Sequence, residues 1–179
     1  LRRLNVPGEN LPFVVNHYDR PEDFPGERVI VVGGGRSADW AATELYDAGK
    51  QIYYVMRQPF EGHWRLIRDS RDGLPYYARI ADIIESRPPR FQTLYRTHVR
   101  RIEEGRVGGL VTVSRDGQED VLGADHVILE IGGIPDYSLF DGFPAPPLEA
   151  MACGCALVTT SVEGVTEYAV DGDNCLVCP

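Results

Sequence analysis

Hydrophobic and polar positions change their period several times along the chain. Val29–Val32 is an unbroken β-branched run, followed without a spacer by Gly33, Gly34 and Gly35. From Arg36 to Ala48 the small and apolar residues Ala38, Ala41, Leu45 and Ala48 recur at helical spacing on one face. Gly49 stands where a helix stop is expected, and Ile52–Met56 is a second apolar strand. Residues 28–58 therefore predict a strand, a glycine turn, a helix and a strand. Helical spacing returns at Tyr77, Ile80, Ile83 and Ile84 within Tyr76–Ser86, and Pro88-Pro89 closes that run. Phe60–Asp72 has no clean period, with Trp64, Leu66 and Ile67 as candidate buried anchors. Phe91–Glu103, Leu110–Arg115 and Asp120–Leu122 alternate, with turn signals at Glu104-Gly105 and Asp116-Gly117, and predict a small antiparallel meander with one wet face. His126–Ile131 is continuously apolar, as in the centre of a parallel sheet, and ends at Gly132-Gly133.

These elements give an α/β fold class. We expect a Rossmann-like, three-layer parallel sheet with a small antiparallel β insertion and an appended αβ segment. Residues 1–27 are rich in Pro, Gly, Asn and Asp and read as a connecting segment with one short strand at Phe13–Val15. Residues 28–136 read as the nucleotide-binding domain, and 137–179 as a separate tail. In the tail the pattern predicts short helices at Pro147–Cys153 and Val165–Ala169. It predicts strands at Ala156–Thr160, which would extend the parallel sheet, and at Leu176–Val177.

Charge sharpens the boundary near residue 136. All lysines and arginines lie at or before Arg115, whereas residues 136–179 hold seven acids, no lysine or arginine, and all four cysteines. The net charge of −9 argues against a nucleic-acid partner. No run approaches the ~18 apolar residues of a membrane span, and no signal peptide is visible, so no membrane partner and a cytoplasmic location are expected. The first residue is Leu, and the chain reads as a piece of something longer.

The chemistry is concentrated in Gly33-x-Gly35-x-x-Ala38, the small-residue form of a dinucleotide fingerprint, in the strand–turn–helix context it requires. Gly33 permits a tight turn, Gly35 lets amides approach a diphosphate with no Cβ in the way, and Ala38 allows close helix–strand packing. An NAD site usually places an acid near the end of the second strand to accept from the ribose. This strand ends Met56-Arg57-Gln58, so NADP is favoured over NAD, with Arg57 available to a 2′-phosphate. Cys153-x-Cys155 and Cys175-x-x-Cys178 have the short spacing of zinc or disulfide pairs, but free thiols are expected and no metal. His17, His63, His98 and His126 are scattered and read as structural. No catalytic residue is assigned.

Residues 1–140 resemble the pyridine-nucleotide domain of the thioredoxin-reductase-like flavoproteins, within them the ferredoxin–NADP reductase branch. The resemblance lies in VPGEN at 6–10, HYDRPEDFPGERVIVVGGG at 17–35, SADWA at 37–41, Arg57, Phe60-x-x-His63, and ADHVILEIGGIPD at 124–136. It implies that Gly33, Gly34, Gly35, Arg36, Ser37 and Ala38 line the phosphates, that Arg57 contacts the 2′-phosphate, and that Gly132 lies beside the nicotinamide half. Gln58 replaces a second arginine usual in that family, and Arg36 an Asn or Asp. The CxxC of thioredoxin reductases is missing before the glycine strand, so dithiol exchange is not supported. The family also uses FAD in a separate domain whose motifs do not occur in these residues. The expected function is NADP(H) binding within a flavin-dependent oxidoreductase, without turnover unless a FAD-bearing chain or electron acceptor completes it.

Residues 138–179 resemble a different family. PPLEAMACG and VEGVTEYAVDGDN are similar to the nucleotide-sugar half of retaining glycosyltransferases of the GT-B fold. The resemblance implies that Glu149 binds the donor ribose and that Asp141 faces the sugar or its leaving phosphate. A nucleotide-sugar-binding fragment is therefore the alternative function. A recombined chain without catalytic activity is the third.

Overall fold

The computed structural model describes residues 3–70, 75–106, 108–132, 150–160 and 169–178. The chain divides into two compact units, Leu1–Gly133 and Ile134–Pro179. In the first, the strands are β1 (Val14–Val15), β2 (Arg28–Gly33), β3 (Gln51–Val55), β4 (Phe91–Leu94), β5 (His98–Glu104), β6 (Gly109–Arg115), β7 (Gln118–Ala124) and β8 (His126–Glu130). The helices are α1 (Arg36–Asp47), α2 (Phe60–Ser70) and α3 (Pro75–Ser86), with a short 3-10 turn at Pro21–Asp23. Five strands form an all-parallel sheet in the order β1–β8–β2–β3–β4. A second sheet, β5–β6–β7, is antiparallel.

Side-chain alternation sorts the central strands into two cores. Val29, Val31, Ile52, Tyr54 and Ile128 pack with Leu45, Ile67, Tyr77, Ile80 and Ile83 of the helices. Ile30, Val32, Val55, Val127 and Leu129 pack with Val99, Ile102, Val111 and Val113 of the antiparallel sheet. Burial on both faces explains why the central strands read as unbroken apolar runs. The expected antiparallel insertion is thus the third layer over the parallel sheet.

Three expectations need correction. Phe91–Glu103 is not one extended run, because Arg96 takes a left-handed φ of 52° and splits it between the parallel and the antiparallel sheet. Both halves have a period of two, so alternation alone could not mark the break. Phe60–Asp72 contains the regular helix α2, whose buried positions are His63 and Ile67. A polar residue on the inward face hid the period. Residues 1–27 do more than connect: β1 pairs with β8, and Tyr18 and Phe24 are core residues.

A small clasp ties the entrance of β2 to β8. The Asp125 carboxylate accepts hydrogen bonds from the N–H groups of Glu27 and Arg28, both at 2.8 Å, and pairs with the Arg28 guanidinium at 3.6 Å. Burial pushes this carboxyl up, but the two amides and the guanidinium outweigh it and hold it below its ordinary 3.8. A depressed folded value stabilises the fold above pH 3.8, and that stability is lost as pH falls through the folded value. Asp125→Asn is expected to cost ~1 kcal/mol at neutral pH, because a charged acceptor is exchanged for a neutral one. In denaturant titrations the gap to wild type should close as the pH drops below 3.8.

In the second unit, residues 150–152 are helical. Strands β9 (Val158–Thr160) and β10 (Leu176–Cys178) pair in parallel as their own two-stranded sheet. The strand expected at Ala156–Thr160 is present as β9 over Val158–Thr160. Most of the helix predicted at Val165–Ala169 lies outside the described residues. Cys153 and Cys155 are exposed free thiols and Cys175 is a buried one. No described helix is long and apolar enough to cross a membrane.

Candidate functional site

A cleft of about 840 Å³ opens at the C-terminal ends of β2, β3 and β8. Gly33, Gly34, Gly35, Arg36, Ser37, Arg57 and Gly132 all line it. Ala38 does not: it is fully buried. The glycines serve different needs. A Cβ on Gly33 would sit 2.4 Å from the Glu130 carbonyl oxygen and 2.7 Å from the Ala38 Cβ. Close approach of β8 and α1 therefore requires this glycine. Gly35 caps the N-terminus of α1 in extended conformation, without a side-chain cap, and its Cβ position is open space. The first N–H groups of the helix have no intrahelical acceptor, and the helix dipole adds positive potential where they emerge. An anion is what such a terminus accepts. Gly132, with φ of 87°, turns the chain away at the far rim.

Cations converge on this rim although the chain is acidic overall. Arg57 is exposed and makes no hydrogen bond or ion pair with another described residue. Gln58 is already engaged: its side-chain N–H donates to the Gly34 carbonyl at 2.6 Å and braces the glycine turn. Arg3, Thr97, His98 and Glu130 also line the cleft, and sequence reasoning had not assigned them to it. Arg3 donates to Asn10 at 3.0 Å, and Glu130 accepts from the Tyr18 N–H at 2.8 Å. These residues come from the N-terminal segment and from strand ends distant in sequence, so no local spacing announced them.

Behind the glycine turn lies a buried polar cluster. Asp39, in the first turn of α1, and His63, on α2, are both fully buried, with His63 Nε2 2.6 Å from Asp39 Oδ1. The Tyr54 hydroxyl donates to the same oxygen at 2.7 Å, and the Tyr95 hydroxyl lies 3.2 Å from His63 Nδ1. Asp39 Oδ2 has no hydrogen-bond partner. Burial first, then the Asp39 charge, pushes the Tyr54 and Tyr95 hydroxyls well above their ordinary value, so both remain donors. A larger groove of about 1000 Å³ between α2, α3 and β4 is walled mainly by apolar groups such as Phe60, Trp64, Pro88 and Pro89. The two acids implied by the tail resemblance, Asp141 and Glu149, lie outside the described residues. Among the described residues no cluster of His, Cys, Asp or Glu could hold a metal ion.

Comparison with known proteins gives a consistent answer. The family model of pyridine nucleotide-disulphide oxidoreductases matches residues 2–159, running through the compositional break near residue 136. A ferredoxin–NADP reductase of Ignicoccus hospitalis is 30% identical over 139 residues, which is 75% of this chain and 40% of that protein. The bacillithiol disulfide reductase of Bacillus cereus is 26% identical, with a TM-score of 0.61 over 76% of this chain and 38% of its own. Its counterpart from Staphylococcus aureus, at 21% identity, shares the fold with a TM-score of 0.64 over 98% of this chain and 49% of its own. The chain thus spans less than half the length of these relatives. The comparisons lend no support to the glycosyltransferase resemblance of the tail.

Proposed function

Because this chain belongs to the pyridine nucleotide-disulphide oxidoreductase family, we propose that its cleft binds NADP(H) as part of a flavin-dependent oxidoreductase. One observation supports this above the others: a helix N-terminus with no side-chain cap, over open space at Gly35, with the unengaged Arg57 on the same rim. The residues fit the ligand's chemistry. The amides of Arg36–Ala38 meet a diphosphate, the Ser37 hydroxyl adds a donor, and Arg57 meets a 2′-phosphate. The cleft's volume lies within the roughly 300–1,000 Å³ typical of small-molecule sites. NADPH held there supplies a hydride. This chain's residues bind it, orient it along the ends of β2, β3 and β8, and leave its nicotinamide half toward Gly132. FAD belongs to the same proposal on the flavoprotein resemblance of residues 1–140, and the name of the ferredoxin–NADP reductase that this chain resembles supports NADP. The flavin, or another electron acceptor, would come from a partner chain or from residues outside those described.

Titration with NADPH and NADH tests the reading. NADPH is expected to bind in the micromolar to millimolar range and more tightly than NADH. Arg57→Gln should weaken NADPH about 10–100-fold, the worth of a charge-assisted hydrogen bond, while NADH changes less than about twofold. Equal wild-type affinities would remove that role for Arg57. Ligand at ~100 times its Kd adds about 2.7 kcal/mol of stability, so thermal unfolding reports the same contest. Stabilisation by a UDP-sugar and not by NADPH would transfer the function to the glycosyltransferase alternative. No stabilisation by either would leave a chain without nucleotide function.

A further inference from the structure

The Asp39–His63 cluster poses a problem that the nucleotide-binding reading alone does not solve. A buried carboxylate with one oxygen lacking any partner is costly, and buried polar groups are rarely better for stability than apolar residues of the same size. Their best-attested use is to fix one arrangement over its neighbours. The four residues of the cluster come from α1, β3, α2 and the segment after β4, and α1, the end of β3 and that segment each contribute residues to the cleft. Asp39 sits on α1, four residues beyond the Gly35 cap, and its N–H donates to the Gly35 carbonyl at 3.0 Å. Tyr54 is the penultimate residue of β3, two positions before the Met56–Pro59 loop that carries Arg57. His63 sits on the first turn of α2, immediately after that loop. Tyr95 follows β4 and adjoins Arg96 and Thr97, whose N–H groups donate to the carbonyls of Gln58 at 3.2 Å and Met56 at 3.0 Å. Both ends of the Arg57 loop, and the segment beside it, are thereby bonded to one carboxylate on the phosphate-facing helix, directly or through His63. His63 Nε2 faces Asp39 and Nδ1 faces the Tyr95 hydroxyl, so a ring protonated at Nε2 satisfies both bonds.

We propose that Asp39 and His63 are positioning residues that hold the Arg57 loop at a fixed offset from the α1 N-terminus. A single ligand can then place its diphosphate on the helix amides and its 2′-phosphate on Arg57. This rests on the NADP(H) reading, and it adds the claim that selectivity for the 2′-phosphate is set by a pair that never touches the ligand.

The test is the ratio of NADPH to NADH affinity, a quantity that a merely structural role would not move. In D39L/Y54F/H63F the cluster is replaced by apolar residues of similar shape, with no charge left buried and unpaired. The folded variant is expected to lose about tenfold in NADPH affinity with NADH within about twofold of wild type. D39N keeps an acceptor at the same place and should retain most of the ratio. Y95F removes only the outer, half-buried hydroxyl and should lower the ratio about threefold. A wild-type ratio in the folded triple variant overturns the proposal. Should the triple variant fail to fold, an unchanged ratio in Y95F overturns it and a lowered one supports it. If wild type binds neither nucleotide, the underlying NADP(H) reading fails instead, a result distinguishable from all of these.

Discussion

His63→Ala is expected to be among the most destabilising single substitutions in the first unit, lowering its unfolding free energy by about 3–5 kcal/mol in urea titration. Two losses combine. The imidazole is fully buried, so its removal leaves a cavity that the close-packed helix layer fills only in part. It also leaves the Asp39 carboxylate with the Tyr54 hydroxyl as its one remaining donor among the described side chains. The second loss should dominate, and a double-mutant cycle separates the two. If the buried charge is the main cost, D39N/H63A will be more stable than the sum of D39N and H63A predicts. If the cavity is the main cost, the two effects will add. A H63A chain that unfolds within about 1 kcal/mol of wild type would show that the pair is not held as the geometry places it.

The cluster also marks the limit of what was legible in the sequence. Residues 28–58 could be read almost to their ends, because each local signal there agrees with the tertiary outcome. The β-branched run is buried on both faces, Ala38, Ala41 and Leu45 are buried while Ala48 is exposed past the helix end, and Gly49, with φ of 92°, stops the helix. Agreement between local preference and global fold is what makes a segment readable. The same reasoning failed at Phe60–Asp72 because the inward face of α2 carries His63, a residue whose burial depends on an aspartate 24 positions earlier. It failed again at Phe91–Glu103, where one left-handed residue, Arg96, sends two similar strands to different sheets. Arg3 and His98 in the cleft were out of reach for the same reason: topology, not spacing, brings them to Arg57. The candidate site was therefore visible where it is made of consecutive backbone, the glycine turn and its helix. It was invisible where it is made of side chains gathered from elsewhere.

The glycines offer the sharpest separation of folding from binding, because two positions two residues apart should fail in opposite ways. Gly33→Ala places a methyl 2.4 Å from the Glu130 carbonyl oxygen and 2.7 Å from the Ala38 Cβ. Neither neighbour is the free end of a flexible side chain. One is strand backbone hydrogen-bonded in the parallel sheet, and the other is anchored at the helix start. Relief requires β2 to part from β8 or α1 to lift from the sheet, and such overpacking costs about 3 kcal/mol. For a unit of this size that is a fall in Tm of roughly 10 °C, and nucleotide binding should weaken with it because the helix start is displaced. Gly35→Ala meets nothing within 4 Å, and its extended backbone suits alanine. Its stability cost should stay below about 1 kcal/mol, that of a poorer helix cap. Its methyl nevertheless enters the space above the amides where the diphosphate is proposed to lie. NADPH and NADH should therefore both weaken, by about tenfold or more, with Tm nearly unchanged. Paired thermal melts and titrations of the two variants check this. Were G35A to bind both nucleotides as wild type does, the diphosphate would have to lie elsewhere, and the role assigned to the α1 N-terminus would be lost while the fold stood intact.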